Sequence, residues 1–313
     1  MVEPLHIRDI VIYPIKSLPG IRVSRAGVTA KGLIGYPSSP ERTKPGQGLR
    51  DREYMIVDEQ GTFLTLRTHA DVFTHIEVTV EDTCLVLQAP TITQKPLKIS
   101  LEDDHQEDSL HMNVRVWSWE GQACIVSHEA SQWISNVLGK PSHIVRCDGM
   151  NHHRPVDDTW VTDRARATAQ AIFADGFPYL FVFEESYNDL KTNLEEIDFS
   201  VDRFRGNILI SGGTAWQEDS TRLLVVKDSL EFDLVKPCTR CKVPTIHPRT
   251  GLVDPVVYDV LVRKRSGVVL GWDEPKSFKH STFFGVNGVF HDSMENASEI
   301  KPCISIGDSV TLM

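Results

Sequence analysis

Apolar residues in this chain come in short runs rich in Val, Ile, Phe and Tyr, each closed by Gly, Asp, Asn or Pro. This pattern limits the fold more than any other feature, because short β-branched and aromatic runs between turn formers build strands rather than long helices. The spacing predicts strands at 7–15, 53–58, 62–66, 74–80, 84–88, 114–119 and 123–126, and again at 180–183, 207–211, 222–226, 231–234, 256–263 and 309–312. Two helices are expected. Over 130–138, Trp133, Ile134, Val137 and Leu138 share one face, and Gly139 supplies the stop. The second is expected to follow Ser186 as N-cap, with Tyr187, Leu190 and Leu194 as its apolar stripe. The expected class is mainly β with a few helices, α+β.

A chain of 313 residues allows two domains, at about 100–200 residues each. Turn formers and charges in CDGMNHHRPVDD, 147–158, predict a boundary that gives a strand-rich domain over 1–147 and a barrel-like one over 148–313. Loops are expected at 37–48 and in the acidic stretch 102–108. With 33 Lys and Arg against 43 Asp and Glu, the net charge of -10 disfavours a broad nucleic-acid footprint. The apolar runs fall far short of the roughly 20 residues that a membrane-spanning helix needs. The start, MVEPLHIRDI, carries no secretion or import pattern, so a cytoplasmic protein without a transmembrane segment is expected.

Within VKPCTRCKVPTIHP, 235–248, two of the six cysteines stand three apart, Cys238 and Cys241. In a reducing compartment such a pair more often binds metal or does chemistry than forms a disulfide. A zinc site needs about four ligands; His247 with Cys303 or His280 could complete one, but a second close pair is missing. A dithiol couple of the thioredoxin kind needs a helix to follow, and Pro244 and Pro248 oppose it. Two plain structural thiols are a third reading. The fourth is a single thiolate for a metal that brings most of its own ligands, with Lys236 and Arg240 favouring the ionised sulfur.

Other polar residues have anion-binding chemistry. Lys16 and Ser17 follow Pro14 in a turn, where an ammonium and a hydroxyl can face one anion. Arg52, in the RDRE cluster, offers a planar fork for phosphate or carbonyl groups. Arg205 and Asn207 alternate in FRGNILI and are expected on one side of a strand. Asp175 opens the turn DGFP. The adjacent His152 and His153 are not expected to bind metal, because neighbouring side chains diverge.

The ordered motifs VKPCTRCKVPTIHPRTG, RFRGNILISGG and the terminal ISIGDSVTLM resemble the MOSC domain. Upstream, IYPIKSLPGI, LRDREYMIVDEQGTFLTLRTH and SQWISNVLG resemble the N-terminal MOSC β-barrel domain that accompanies it in the molybdenum cofactor family of the amidoxime-reducing components. The resemblance implies a MOSC β-barrel domain behind a MOSC_N-like domain. It implies a molybdenum cofactor whose metal is held by the pterin dithiolene and by Cys238, with Cys241 no ligand. It further implies reduction of N-hydroxylated compounds, amidoximes and hydroxylamines among them, with electrons from cytochrome b5 and NADH-cytochrome b5 reductase. No nicotinamide or flavin motif is visible in the chain itself. Lys16, Ser17, Arg52, Arg205 and Asn207 are then cofactor contacts, and Asp175 lies beside the metal as a catalytic residue. Gly176 and Phe177 stand where relatives carry hydroxyl residues, and His247 where they commonly carry Asp. Arg263, Lys264 and Arg265 are a candidate docking patch for the donor. The rival function is a non-catalytic carrier of the cofactor, or of sulfur on Cys238.

Overall fold

A computed structural model describes residues 3–36, 48–93, 95–101, 110–148, 154–166, 168–290 and 302–313. In chain order the first half forms β1 (His6–Ile12), β2 (Ile21–Arg22), β3 (Arg25–Thr29), β4 (Gly32–Gly35), β5 (Leu49–Arg50), β6 (Tyr54–Asp58), α1 (Ala70–Phe73), β7 (Glu77–Glu81), β8 (Cys84–Gln88), β9 (Leu97–Ser100), β10 (His111–Val116), β11 (Trp119–Ile125), α2 (His128–Leu138) and β12 (Ser142–Cys147). The second half forms α3 (Asp163–Arg166), β13 (Tyr179–Phe183), α4 (Glu184–Lys191), β14 (Ile208–Ser211), β15 (Leu223–Val226), β16 (Leu230–Arg240), α5 (Val256–Arg265), α6 (Gly267–Leu270), β17 (Thr282–Phe290), β18 (Cys303–Ser305) and β19 (Val310–Leu312). The fold is mainly β with few helices, as the short-run pattern predicts.

Four sheets result. The largest runs β19-β15-β16-β17-β13-β14-β1-β2, so that β1 from the start of the chain pairs antiparallel with β14, His6 opposite Ser211. In return β18 pairs with β3, Cys303 opposite Gly27. The other two sheets are β10-β11-β12-β6 and β7-β8-β9. One buried cluster joins Ile10 and Ile12 of β1 to Tyr179 and Phe181 of β13 and to Phe232 of β16. This interleaving matters for function, because it brings the turn after β1 against the turn before β14.

Helix α2 forms as expected. Ser127 accepts from the Ala130 N–H, Gly139 closes the helix in left-handed backbone, and Ala130, Trp133, Ile134 and Val137 are buried. Three expectations are corrected. The segment 256–263 is not a strand but most of α5, whose buried Val257, Val260, Leu261 and Arg265 recur at helical spacing; its valines obscured that period. The segment 62–66 forms no regular strand and makes only isolated bridges, Phe63 to Val57 and Thr62 to Arg115. Helix α4 begins at Glu184 and ends at Lys191, so Ser186 is not its cap but a buried side chain that donates to Glu218 Oε2 at 2.9 Å. Residues 37–47 of the loop expected at 37–48, the loop expected at 102–108, and His152 and His153 lie outside the described residues.

Candidate active site

Two turns make the cationic floor of the site. After β1 the chain reverses through Tyr13–Pro14–Ile15–Lys16–Ser17, held by Lys16 N–H to Tyr54 O (2.8 Å) and Leu18 N–H to Ile15 O (3.2 Å). The turn after β5 is locked to it: Arg52 N–H donates to Tyr13 O at 2.7 Å, and Asp51 Oδ1 accepts from Tyr13 N–H at 2.8 Å. Arg205 closes a short 3-10 helix over Val201–Phe204 and donates through Nη2 to Leu18 O at 2.8 Å. Ser17, Arg52 and Arg205 all have left-handed backbone, with φ of 75°, 49° and 56°. Such a conformation costs a non-glycine residue about 1–3 kcal/mol and gathers where function fixes the side chain's direction.

The Arg52 and Arg205 guanidiniums both lie over the Tyr13 ring, 4.2 and 4.4 Å from its centroid. Burial pushes the Tyr13 phenol up to about 12 even though both arginines oppose the shift. Arg52 pairs with Asp51 at 2.6 Å, whereas Arg205 has no carboxylate partner among the described residues. Burial, with Arg52 as a like charge, lowers Arg205 to about 10 despite help from neighbouring anionic groups. Two crowded guanidiniums, of which Arg52 alone is paired with a carboxylate, favour a further anion.

Lys16 is buried, its side chain 7% exposed, and its Nζ reaches Asp175 Oδ1 at 2.5 Å and lies over the Phe63 ring. Trp117 Nε1–H, from the turn between β10 and β11, donates to the same oxygen at 3.1 Å. Asp175 is crowded by protein yet has 75% of its side chain accessible, the combination expected of a group that lines a cleft. Burial alone would raise its carboxyl, but Lys16, Trp117 and Arg52 together outweigh that and hold it at about 2. Burial lowers the Lys16 ammonium, with Arg154 and Arg52 adding to the shift and Asp175 opposing it.

Cys238 sits near the end of β16, at the second of two irregularities of the β16–β17 ladder. Leu234 faces Gly288 but Lys236 faces Asn287, and Pro237 faces Val286 but Thr239 faces Phe283. The second irregularity places Phe284 and Gly285 of β17 against Cys238 alone, with Gly285 at φ 70°. A Cβ on Gly285 would lie 2.6 Å from Phe181 O, so only glycine fits. Bulges re-aim side chains, and the partly buried Cys238 stands opposite this one. Burial pushes the Cys238 thiol up; Arg240 offsets part of this, and the Asp175 charge adds to it, which places sulfur and carboxylate in one electrostatic neighbourhood. Cys241 is exposed beyond the strand, its sulfur accepting from Val243 N–H.

The structure thus brings Lys16, Asp175, Arg52 and Arg205 together around Tyr13, with Cys238 close enough to feel Asp175. A cavity of about 180 Å³ opens beside them, lined by Tyr13, Ser17, Arg22, Asp202, Arg203, Arg205 and Arg249 among others. Arg203 Nε is buried there without a hydrogen-bond partner among the described residues. Asn207 is placed differently from expectation. It precedes β14, Arg205 ends a 3-10 helix, and the two do not share a strand face. The Asn207 amide is 2% exposed and joins strands, donating to Val11 O and accepting from Leu180 N–H, each at 3.2 Å. The zinc reading loses its ligands: His247 Nε2 contacts Asp198 at 3.0 Å, and among the described residues Cys238 and Cys241 belong to no group of three converging His, Cys, Asp or Glu. The dithiol reading loses its helix, because Cys238 lies on a strand. Arg265 is buried and paired with Asp219, and Lys264 lies 3.6 Å from Asp189, so the 263–265 run is not three free surface charges.

Two positioning residues escaped the sequence reading, and a third, Arg240, entered it only as a charge favouring the ionised sulfur. Arg154 grips the 172–175 turn, donating to Ile172 O at 3.2 Å, to Ala174 O and to Asp175 O at 2.9 Å. Trp117, with φ 56°, orients Asp175. Arg240 clamps Phe284 O and Phe204 O behind the cysteine. The available signals were weak: an arginine before a proline in a charged stretch, a tryptophan at a hairpin tip, and a charge between two cysteines.

A family model for the MOSC N-terminal beta barrel domain matches residues 5–141, and one for the MOSC domain matches 168–311. Mitochondrial amidoxime-reducing component 1 of Mus musculus is 32% identical over 250 residues, which cover 79% of this chain and 67% of that protein. Mitochondrial amidoxime reducing component 2 of Bos taurus is 28% identical over 308 residues, covering 98% of this chain and 83% of that one. Molybdenum cofactor sulfurase of Oryza sativa subsp. japonica is 25% identical over 313 residues, covering 95% of this chain but 34% of that one.

Proposed function

Because the chain belongs to the family of MOSC proteins that also carry the N-terminal MOSC beta barrel, we propose that it is a molybdenum-cofactor enzyme reducing N-hydroxylated compounds such as amidoximes and hydroxylamines. The observation that carries the reading is one neighbourhood holding a thiol on a strand bulge, an ionised carboxylate and a cluster of guanidiniums lacking enough carboxylates to neutralise them. The donor set fits the group. Ser17 and Arg205, which line the cavity, suit its phosphate-bearing end, and Cys238 offers a soft thiolate for a metal.

When bound, the cofactor supplies the two-electron reduction of an N–O bond, chemistry that no side chain performs repeatedly. Arg52 and Arg205 hold the anion against Tyr13, and Ser17, whose hydroxyl donates to Leu64 O at 3.2 Å, lines the cavity wall. Cys238 would hold the metal as a thiolate, and Arg240 favours the loss of its proton. Asp175, kept ionised by Lys16 and Trp117, accepts a hydrogen bond from the N–H or O–H of the substrate and orients it. The reaction consumes two protons and releases water. Lys16 Nζ, made more acidic by burial and in contact with Asp175 Oδ1, is the proton source nearest that oxygen. Electrons come from an external donor; cytochrome b5 with NADH-cytochrome b5 reductase is the proposed pair.

Molybdenum content and benzamidoxime reduction, driven by a chemical donor or by cytochrome b5, test the reading. Cys238→Ala should abolish turnover and Cys241→Ala should leave most of it. Stoichiometric molybdenum with turnover no faster than buffer would put the carrier function ahead.

A further inference from the structure

We propose that His111, Cys124 and Asp148 form a second metal site, separate from Cys238, that takes a single divalent ion of the zinc class. His111 on β10 stands directly opposite Cys124 on β11, and Cys124 in turn faces Arg146 on β12. Asp148 comes two residues after Arg146, where strand alternation returns a side chain to the same face. The three ligand atoms therefore converge from three adjacent segments and lie within 4.8 Å of one another.

The geometry favours an ion over a proton relay. Cys124 Sγ lies 3.3 Å from His111 Nε2, and Asp148 Oδ2 lies 3.3 Å from the same nitrogen. In a Cys–His–Asp relay the carboxylate holds one ring nitrogen while the thiol uses the other. Here both meet at Nε2, and one ring nitrogen cannot pass a proton between them. Around a tetrahedral zinc with bonds of about 2.0–2.3 Å, ligand-to-ligand edges are about 3.4–3.6 Å, close to both observed separations. One sulfur, one nitrogen and one oxygen suit a borderline ion such as Zn²⁺, whereas Mg²⁺ and Ca²⁺ prefer all-oxygen shells. The His111 side chain is 38% exposed, which leaves a path for the ion and room for water as fourth ligand. A thiol binds the ion only as a thiolate, so loading the site must expel the Cys124 proton.

An ion here would clamp the open end of the β10–β11 hairpin to the end of β12. The tip of that hairpin carries Trp117, which donates to Asp175. The site would thus steady the arm that orients the carboxylate without joining the chemistry.

The test is a Co²⁺ titration of the full chain carrying Cys238→Ala and Cys241→Ala, which removes the other close pair of thiols. One equivalent should bind with a thiolate-to-cobalt charge-transfer band, Zn²⁺ should displace it, and proton release should accompany loading. Cys124→Ser should lose the band, and His111→Ala and Asp148→Asn should each weaken binding at least about tenfold, with unchanged far-ultraviolet circular dichroism showing that they fold. Zn²⁺ should raise the melting temperature of the parent and not of the Cys124→Ser protein. No thiolate band at one equivalent, or a band of equal strength in Cys124→Ser, would overturn the site and leave a plain carboxylate–imidazole contact.

Discussion

Arg240→Ala offers the sharpest test of how the cysteine is held. The guanidinium donates to Phe284 O through Nε at 2.8 Å and Nη2 at 2.7 Å, and to Phe204 O through Nη1 at 2.9 Å. Phe204 and Phe284 are fully buried with their rings stacked 3.8 Å apart, so water cannot readily replace the lost donors. A buried acceptor left unsatisfied costs about 1–3 kcal/mol, and two carbonyls set the expected loss at about 2–6 kcal/mol. Lys at 240 can satisfy only part of this fork and should recover about half. Urea unfolding at equilibrium reads the stability, and molybdenum bound per chain reads the loop, because Phe284 lies in the bulge that faces Cys238. Arg240→Ala should fall on both measures. A loss below about 0.5 kcal/mol, or an Arg240→Lys protein equal to wild type on both counts, would refute the clamp.

Two further outcomes follow from the carboxylate turn. Asp175 is held at about 2 against an ordinary 3.8, so its contribution to stability is complete above about pH 4 and disappears as the pH falls toward 2. Thermal unfolding from pH 2 to 5 should show that part of the acid limb missing in Asp175→Asn; an unchanged limb would mean the Lys16 contact does not operate in solution. Gly176 lies outside left-handed backbone and a Cβ there meets open space, so Gly176→Ser should change stability by less than about 1 kcal/mol while adding a hydroxyl beside Asp175. The expected readout is a changed KM for benzamidoxime with the fold intact, and a destabilisation above about 2 kcal/mol would show that the space is not free.

Strands with apolar runs of their own, such as β8 and β13, were legible in the sequence because burial and period agree there. Strand β17 was not, since Gly285 and Gly288 interrupt its run; the first belongs to a bulge and the second makes room for the Phe181 ring. Helix α5 was misread because Val256, Val257, Val260 and Val262 speak for a strand, while tertiary packing of one face makes the helix. The charged and sulfur-bearing candidates stand in recognisable motifs, so they could be named in advance. The residues that aim them could not. Arg154, Trp117 and Arg240 act through contacts with residues 18 to 58 positions away, and such links leave no period in a sequence. Asn207 shows the converse error: alternation suggested a shared face, and the amide instead ties β1 to β13.

The left-handed backbone at Ser17, Arg52 and Arg205 has a kinetic consequence. The chain meets this conformational cost, about 3–9 kcal/mol over the three residues, once, when it folds. An anion arriving later finds the turns already in shape and has no loop to order. Its capture should therefore run as a single exponential whose rate rises in proportion to concentration, with no plateau imposed by a slow rearrangement.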